Sequence, residues 1–386
     1  MKMWELKTTP RYRREELLWI KRKLREQRFA GAVHWVSLCC SMRFFRVIAA
    51  VSAIVTSSVA AEVTLTDAQQ QFRTEVNTRL AELDKKGASV FDGPDGWLFL
   101  ASELRFLAKA EFWGEAARGG SRGKPADPLP AILDFHRQLK ERGIELVLVP
   151  VPPKAAIYPE KFSAAAGVTI AAAPYLRAFY EQLRAGGVDV LDLTPVFIAN
   201  REHERGDVFC QTDSHWSGVG TMLAAQAIAE RVKTKLPAAA PRREYVTEWK
   251  ETAISGDLVA LLGRDVAKPT PERIALRLIA EKGSGAAVKP DPNSPVLVMG
   301  DSHTLVFSEF LAQRAGLIDQ LAAEIGFAPD LIGTRGSGAT AVRVSLFRKA
   351  RSDAGYLAKK KVVVWCFAAR EFTETDQGWV PQPVAK

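Results

Sequence analysis

Apolar positions along this chain follow two periods, and their alternation predicts an α/β fold. Ile132 to Lys140 repeats apolar residues at helical spacing and stops at Gly143, and Ile144 to Val149 is then an apolar run short enough for a buried strand. Pro174 opens a second helical stretch through Arg184, Gly186-Gly187 closes it, and Val188 to Leu191 is the next strand. The rhythm returns with strands at Pro295 to Met299, Asp330 to Ile332 and Val362 to Phe367, and helices at Leu305 to Leu311 and Ala341 to Ala350. Helix and strand in this order imply a parallel sheet with helices on both faces. Upstream, Phe72, Val76, Leu80 and Leu83 mark a helical lead-in over residues 62–89, and Trp97 to Leu100 reads as a short strand behind the turn cluster Asp92 to Gly96. Gly119 to Pro130 is a loop. Pro237 to Pro292, with clustered Pro, Lys and Gly, is irregular and reads as an insertion or linker.

Charge changes the picture at one end only. Residues 1–46 hold twelve Lys and Arg against four acids, so eight of the nine formal positive charges lie there and the remainder is close to neutral. The basic head is followed by the apolar run Val47 to Val55 and by small residues up to Ala61. This is the layout of a secretory signal or a short membrane anchor, with Met42 placed as an internal start and residues 1–41 as an upstream extension. The expected organisation is therefore a leader over 1–61, the lead-in over 62–89, a catalytic domain over 90–375 and a tail over 376–386, with cleavage near Ala60 or Ala61 and a periplasmic or inner-membrane location. A near-neutral domain without a basic aromatic surface argues against nucleic acid as a partner. Cys39 and Cys40 belong to the leader, whereas Cys210 and Cys366 are expected either bridged or buried and unreactive.

Two segments carry chemistry. Val296 to Met299 runs as a strand into Gly300-Asp301-Ser302, with a helix expected next. A serine at the carboxyl end of a parallel strand faces the usual ligand crevice, and amide protons at a helix start stabilise an oxyanion. Gly300 is read as permitting the turn. Taken alone, Asp301 or Ser302 reads as a helix cap, the commoner role. The second segment, Thr212-Asp213-Ser214-His215-Trp216, precedes a helix from Ser217 to Val232. A serine hydroxyl needs a base with a pKa of about 6.5, and that base needs a carboxylate to fix its tautomer. Asp213 and His215 supply both, so the paired motifs favour Ser302 as nucleophile, His215 as base and Asp213 as its carboxylate.

Among the other four histidines, His34 lies in the leader, His136 in a helix and His203 in a polar segment. His303 follows Ser302 directly, so on a helix it points about 100° away, which suits a pocket wall better than a base. Arg335 and Gly336 sit in a Gly-rich turn that offers a charged donor and close backbone approach, and Ser337 is a further hydroxyl there. Asp213, His215, Asp301 and His303 together raise a metal reading, but no HExxH or paired Cys/His spacing supports it, and no cofactor is called for.

The combination resembles the SGNH-hydrolase-like alginate O-acetyltransferases, the AlgJ and AlgX group. Gly96-Trp97-Leu98-Phe99, Pro150-Val151-Pro152-Pro153-Lys154 with Tyr158-Pro159, Asp213-Ser214-His215-Trp216, Gly256-Asp257-Leu258 and Gly300-Asp301-Ser302 match its successive motifs. The Asp/His pair precedes the serine, as in that group and unlike ordinary SGNH hydrolases. The resemblance covers about residues 90–375, and the single-domain arrangement, without the carbohydrate-binding module of AlgX-like proteins, is the one expected. It implies an SGNH-like sheet with permuted motif order, a Ser302 acyl-enzyme, an exopolysaccharide acceptor and an integral-membrane acyl-donor partner of the membrane-bound O-acyltransferase type. Lys154, Arg335, Gly336 and His303 are the expected oxyanion or substrate contacts. A carbohydrate esterase using the same residues and a non-catalytic polysaccharide scaffold are the competing expectations.

Overall fold

A computed structural model describes residues 63–119, 122–163, 173–236, 242–262, 270–336 and 338–385. The leader, with its expected cleavage site, lies outside the described residues. Five strands build the central sheet: β3 (Glu145–Val151), β4 (Asp189–Val190), β7 (Val296–Gly300), β8 (Asp330–Gly333) and β9 (Val362–Ala368). Their order is β4-β3-β9-β7-β8 and every pairing is parallel, as the alternation predicts. Apart from the exposed Glu145 at its entry, β3 is buried along its length, as are β7 and β9. Full burial follows from helices on both faces and explains why these strands read as unbroken apolar runs. Two apolar layers result, one holding Val147, Val298 and Val364 and the other Leu148, Met299 and Trp365.

The helices that cover the sheet begin where caps or proline place them. α2 (Pro128–Lys140) starts at Asp127, whose carboxylate accepts from the Leu129 N–H, and α3 (Pro174–Ala185) starts on its proline. α4 (Gly218–Lys233) is capped by Ser217, and α5 (Leu317–Ile325) and α6 (Gly338–Ser352) flank β8. The lead-in helix α1 (Asp67–Lys86) buries Phe72, Val76, Leu80 and Leu83 in the same core as the sheet. The short strands β1 (Val90–Asp92) and β2 (Leu98–Leu100) pair antiparallel beside it. At the other end, Trp379 and Val384 pack with Trp365, so the segment expected as a tail closes the second layer.

Two expectations are corrected. Residues 245–281 are not merely an irregular insertion: β5 (Tyr245–Ile254) and β6 (Glu272–Glu281) pair antiparallel over ten residues. The ribbon packs Leu276 and Ile274 inward, whereas β5 is largely exposed, so the alternation that betrays a strand is weak. Leu305 to Leu311 is not a helix. Phe307, Leu311 and Arg314 take left-handed φ angles of 62°, 63° and 66°, and the chain there is a partly buried loop whose apolar side chains pack on the core. Among the described residues no helix is long and apolar enough to cross a membrane.

Candidate active site

β7 ends beside β9, and the closeness of that pairing sets the position of the serine. A Cβ on Gly300 would stand 1.6 Å from the Cys366 carbonyl oxygen, so Gly300 is needed for this approach and not for the turn that follows. Asp301 then turns its buried carboxylate inward. One oxygen accepts the His303 N–H at 3.0 Å and the His303 Nδ1–H at 3.2 Å, and the other accepts the Ala368 N–H at 2.7 Å from the end of β9. Asp301 thus caps the short turn Ser302–Thr304, which replaces the expected helix. Ser302 is left with its hydroxyl 2.7 Å from His215 Nε2.

The loop that supplies His215 is no strand of the sheet; a single bridge between Phe209 and Trp216 closes it. Its backbone groups therefore find side-chain partners. The Lys154 ammonium donates to the carbonyls of Cys210, Gln211 and Asp213 at 2.9, 3.2 and 2.8 Å. Glu272, at the start of β6, accepts the N–H groups of Gln211 and Thr212 at 2.8 and 2.9 Å. Asp257 accepts the Ser214 N–H at 2.7 Å and its hydroxyl at 2.6 Å. Gly256 makes that contact possible, because a Cβ there would lie 2.0 Å from the Thr212 carbonyl oxygen.

Within this frame Asp213 and His215 are joined twice. One Asp213 oxygen accepts His215 Nδ1–H at 2.6 Å and the His215 N–H at 3.0 Å, while the other accepts the Asp257 N–H at 2.7 Å. A carboxylate only accepts, so Nδ1 carries the proton and Nε2 presents its lone pair to Ser302. Burial pushes the Asp213 carboxyl up, but the bond and charge of His215 and the two N–H donors outweigh it and hold it at about 2. Burial pushes His215 down, and the bond to Asp213 with the charges of Asp213, Asp257 and Asp301 more than reverses that, so its pKa lies above the usual histidine value. The three side chains therefore form one hydrogen-bonded series from carboxylate to hydroxyl. Such a series can move the hydroxyl proton to an imidazole whose cation is already favoured.

The remaining candidates divide. Lys154 is fully buried and spends its three protons on carbonyls, so it positions the loop and does not meet substrate. His303 is also fully buried; its ring lies 4.7 Å from that of His215 and below the surface, so it does not line an open pocket. Arg335 is exposed and stacks at 4.5 Å on Phe310, whose ring stands 5.6 Å from that of His215. Gly336 follows in a left-handed turn, and Gly338 packs against the Asp301 backbone, which keeps this rim beside Ser302. Ser337 lies outside the described residues. Of the side chains in the metal reading, His215 is engaged by Asp213 and Ser302 and Asp301 by His303 and Ala368, whereas His303 Nε2 has no hydrogen-bond partner among the described residues. Cys210 and Cys366 are free, buried thiols whose pKa values burial raises. Sequence reasoning missed Glu272, for which the irregular segment gives no signal. It met Asp257 only as part of a motif, with no role.

Residues 90–330 match the family model for the SGNH hydrolase-like domain of the acetyltransferase AlgX. The chain is 29% identical over 309 residues to the "Probable alginate O-acetylase AlgJ" of Pseudomonas putida, covering 75% of this chain and 73% of that one. It is 26% identical over 311 residues to the AlgJ of Pseudomonas syringae pv. tomato, covering 75% and 72%. Among solved structures, the O-acetyltransferase domain of Pseudomonas putida AlgJ superposes with a TM-score of 0.57 at 25% identity, covering 74% of this chain and 92% of that domain. Pseudomonas aeruginosa AlgX shares the fold, with a TM-score of 0.53 at 18% identity over 79% of this chain and 66% of its own.

Proposed function

This chain belongs to the family of AlgX-type SGNH hydrolase-like acetyltransferases, and from that premise we propose that it carries an acetyl group on Ser302 and delivers it to hydroxyls of an exported polysaccharide such as alginate. The observation that carries the reading is the unbroken series Asp213, His215, Ser302, with contacts of 2.6 and 2.7 Å. The Ser302 oxygen attacks the acetyl carbonyl of the donor while its proton passes to His215 Nε2. The tetrahedral adduct collapses, the donor's leaving group takes that proton, and an ester remains on Ser302. An acceptor hydroxyl then repeats the attack, giving its proton to His215, and Ser302 recovers a proton as the product ester departs. Asp213 holds the tautomer and faces the imidazolium in both halves. The Ser302 N–H, first in its turn and without an intrahelical acceptor, and the adjoining loop of Arg335 and Gly336 are the donors available to the oxyanion.

The basic, apolar and small-residue order of residues 1–61 supports work outside the cytoplasm, and the resemblance to the family is what implies a membrane-bound partner presenting the acyl donor. Family membership and the names of the relatives support a polysaccharide acceptor. The test is mass spectrometry of the protein after exposure to a small acetyl ester. The peptide containing Ser302 should gain one acetyl group, Ser302→Ala should gain none, and oligouronate should discharge the ester faster than water. Discharge by water alone, indifferent to oligosaccharide, would make the protein an esterase. Absence of any adduct would leave a polysaccharide scaffold.

A further inference from the structure

We propose that His303, whose Nδ1–H is committed to Asp301, is a positioning residue that acts as an aromatic platform for the imidazolium of His215. This rests on His215 being the base, and it deepens that reading. The two rings stand 4.7 Å apart with planes at 53°, and Trp216 packs on His303 at 5.2 Å in an edge-to-face contact at 89°. His303 is fully buried. Its Nδ1–H is committed to Asp301, so its Nε2 presents a lone pair and has no hydrogen-bond partner among the described residues. Protonating that nitrogen would create a buried N–H without an acceptor, a cost that keeps the ring neutral.

A neutral ring is what the neighbouring chemistry requires. When His215 takes the Ser302 proton, a cation forms against the aromatic ring of His303, an attractive contact for a neutral π-system and a repulsive one for a second imidazolium. The same contact keeps the His215 ring in place while it bonds Asp213 and Ser302 at once. The charged or titratable groups around the pair are Asp213 from the loop, Asp257 from the short helix that braces it, Asp301 from the end of β7, and Arg370 and Cys366 from β9 and its exit. Burial, foremost, with the charges of His215 and Arg370 behind it, outweighs Asp301 and lowers the His303 pKa, whereas His215 is raised. The geometry and the electrostatics assign the one shared proton to His215.

Two substitutions isolate the platform, because both remove the Nδ1–H donor and only one removes the ring. His303→Phe keeps an aromatic face, whereas His303→Leu does not. With a small acetyl ester, kcat of His303→Leu should fall about tenfold below that of His303→Phe at unchanged KM. The acid limb of kcat/KM should lie about half a pH unit lower in the leucine variant, since its imidazolium is less stabilised. Equal kcat and equal limbs in the two variants would reduce His303 to a space filler. Should the leucine variant fail to fold, nitrogen-15 spectra of the intact wild-type protein decide the matter. They should show His303 as the neutral Nδ1–H tautomer while His215 titrates, and a His303 that titrates first would overturn the proposal. These spectra need no turnover, so they separate failure of the platform from failure of the acyl-transfer reading.

Discussion

The tripeptide Asp-Ser-His occurs twice in this chain, at residues 213–215 and 301–303, and the two copies fold alike but end differently. In each, the aspartate accepts its histidine's backbone N–H at 3.0 Å and the same ring's Nδ1–H, at 2.6 Å in the first and 3.2 Å in the second. What separates them is the partner each remaining atom finds. Ser214 is locked by both oxygens of Asp257, whereas Ser302 turns its hydroxyl to the histidine of the other copy. His215 has that hydroxyl on Nε2, and His303 has nothing among the described residues. Local sequence builds the same aspartate-histidine pair in both places. Tertiary contacts then decide which serine is free and which imidazole can take a proton.

The sharpest way to break this comparison is to make the same change in each copy. Ser302→Ala and His215→Ala should each lower kcat toward a small acetyl ester by about 10⁴-fold, with the double variant little worse, because such residues act as a unit. Ser214→Ala should cost less than about tenfold, since Ser214 fixes the loop and does not meet the acyl group. Asp213→Asn should approach the first class, because an amide favours the wrong imidazole tautomer. Steady-state kinetics on these variants checks the ordering, and equal losses at Ser214 and Ser302 would erase the distinction between the copies.

The scaffold of the first copy supplies smaller effects. Lys154→Met strands the buried carbonyls of Cys210 and Asp213, while that of Gln211 keeps the Leu98 N–H, and should cost about 3 kcal/mol in urea unfolding, with activity falling at unchanged KM as the Asp213 loop loosens. Gly256→Ala forces a Cβ against the Thr212 carbonyl and draws the Asp257 N–H from Asp213; about 2 kcal/mol of overpacking should show in the unfolding midpoint. Neither change touches the second copy, whose carboxylate is held by Ala368.

The same division governs what the sequence made legible. The strands β3, β7 and β9 could be read because burial on both faces leaves short apolar runs with clear ends. Ser302, His215 and Asp213 could be chosen because few histidines compete and two motifs agree. The loop after Ser302 could not be read, since Val306, Phe307 and Leu311 carry an apolar pattern that packs from a non-helical backbone with left-handed turns. The ribbon β5–β6 lacks a two-residue alternation because one strand faces solvent. Lys154 looked like a substrate contact because a lone cation in a motif gives no hint that three carbonyls of a distant loop await it. In each case the missing information is a contact between segments far apart in the chain.

The finest distinction between the two copies is electrostatic, and pH should expose it. His215 must be neutral to accept the serine proton, and its pKa is raised above the ordinary value of 6.5, first against burial and then by Asp213. Activity should therefore fall with decreasing pH along a limb centred above about 6.5. Stability separates the same residues by sign. A raised folded value means that His215 stabilises the fold fully below about 6.5 and that this contribution is lost as pH rises through its folded pKa. His303 is lowered, so below about 6.5 the unfolded chain takes up a proton that the folded ring refuses, and its contribution declines as pH falls toward its folded value. In Ser302→Ala, where no turnover intervenes, urea unfolding across pH 5 to 9 should show His215→Phe flattening the loss on the alkaline side and His303→Phe flattening the loss on the acid side. If both substitutions altered the same limb, the two histidines would share one environment, and the partition of roles between the copies would not hold.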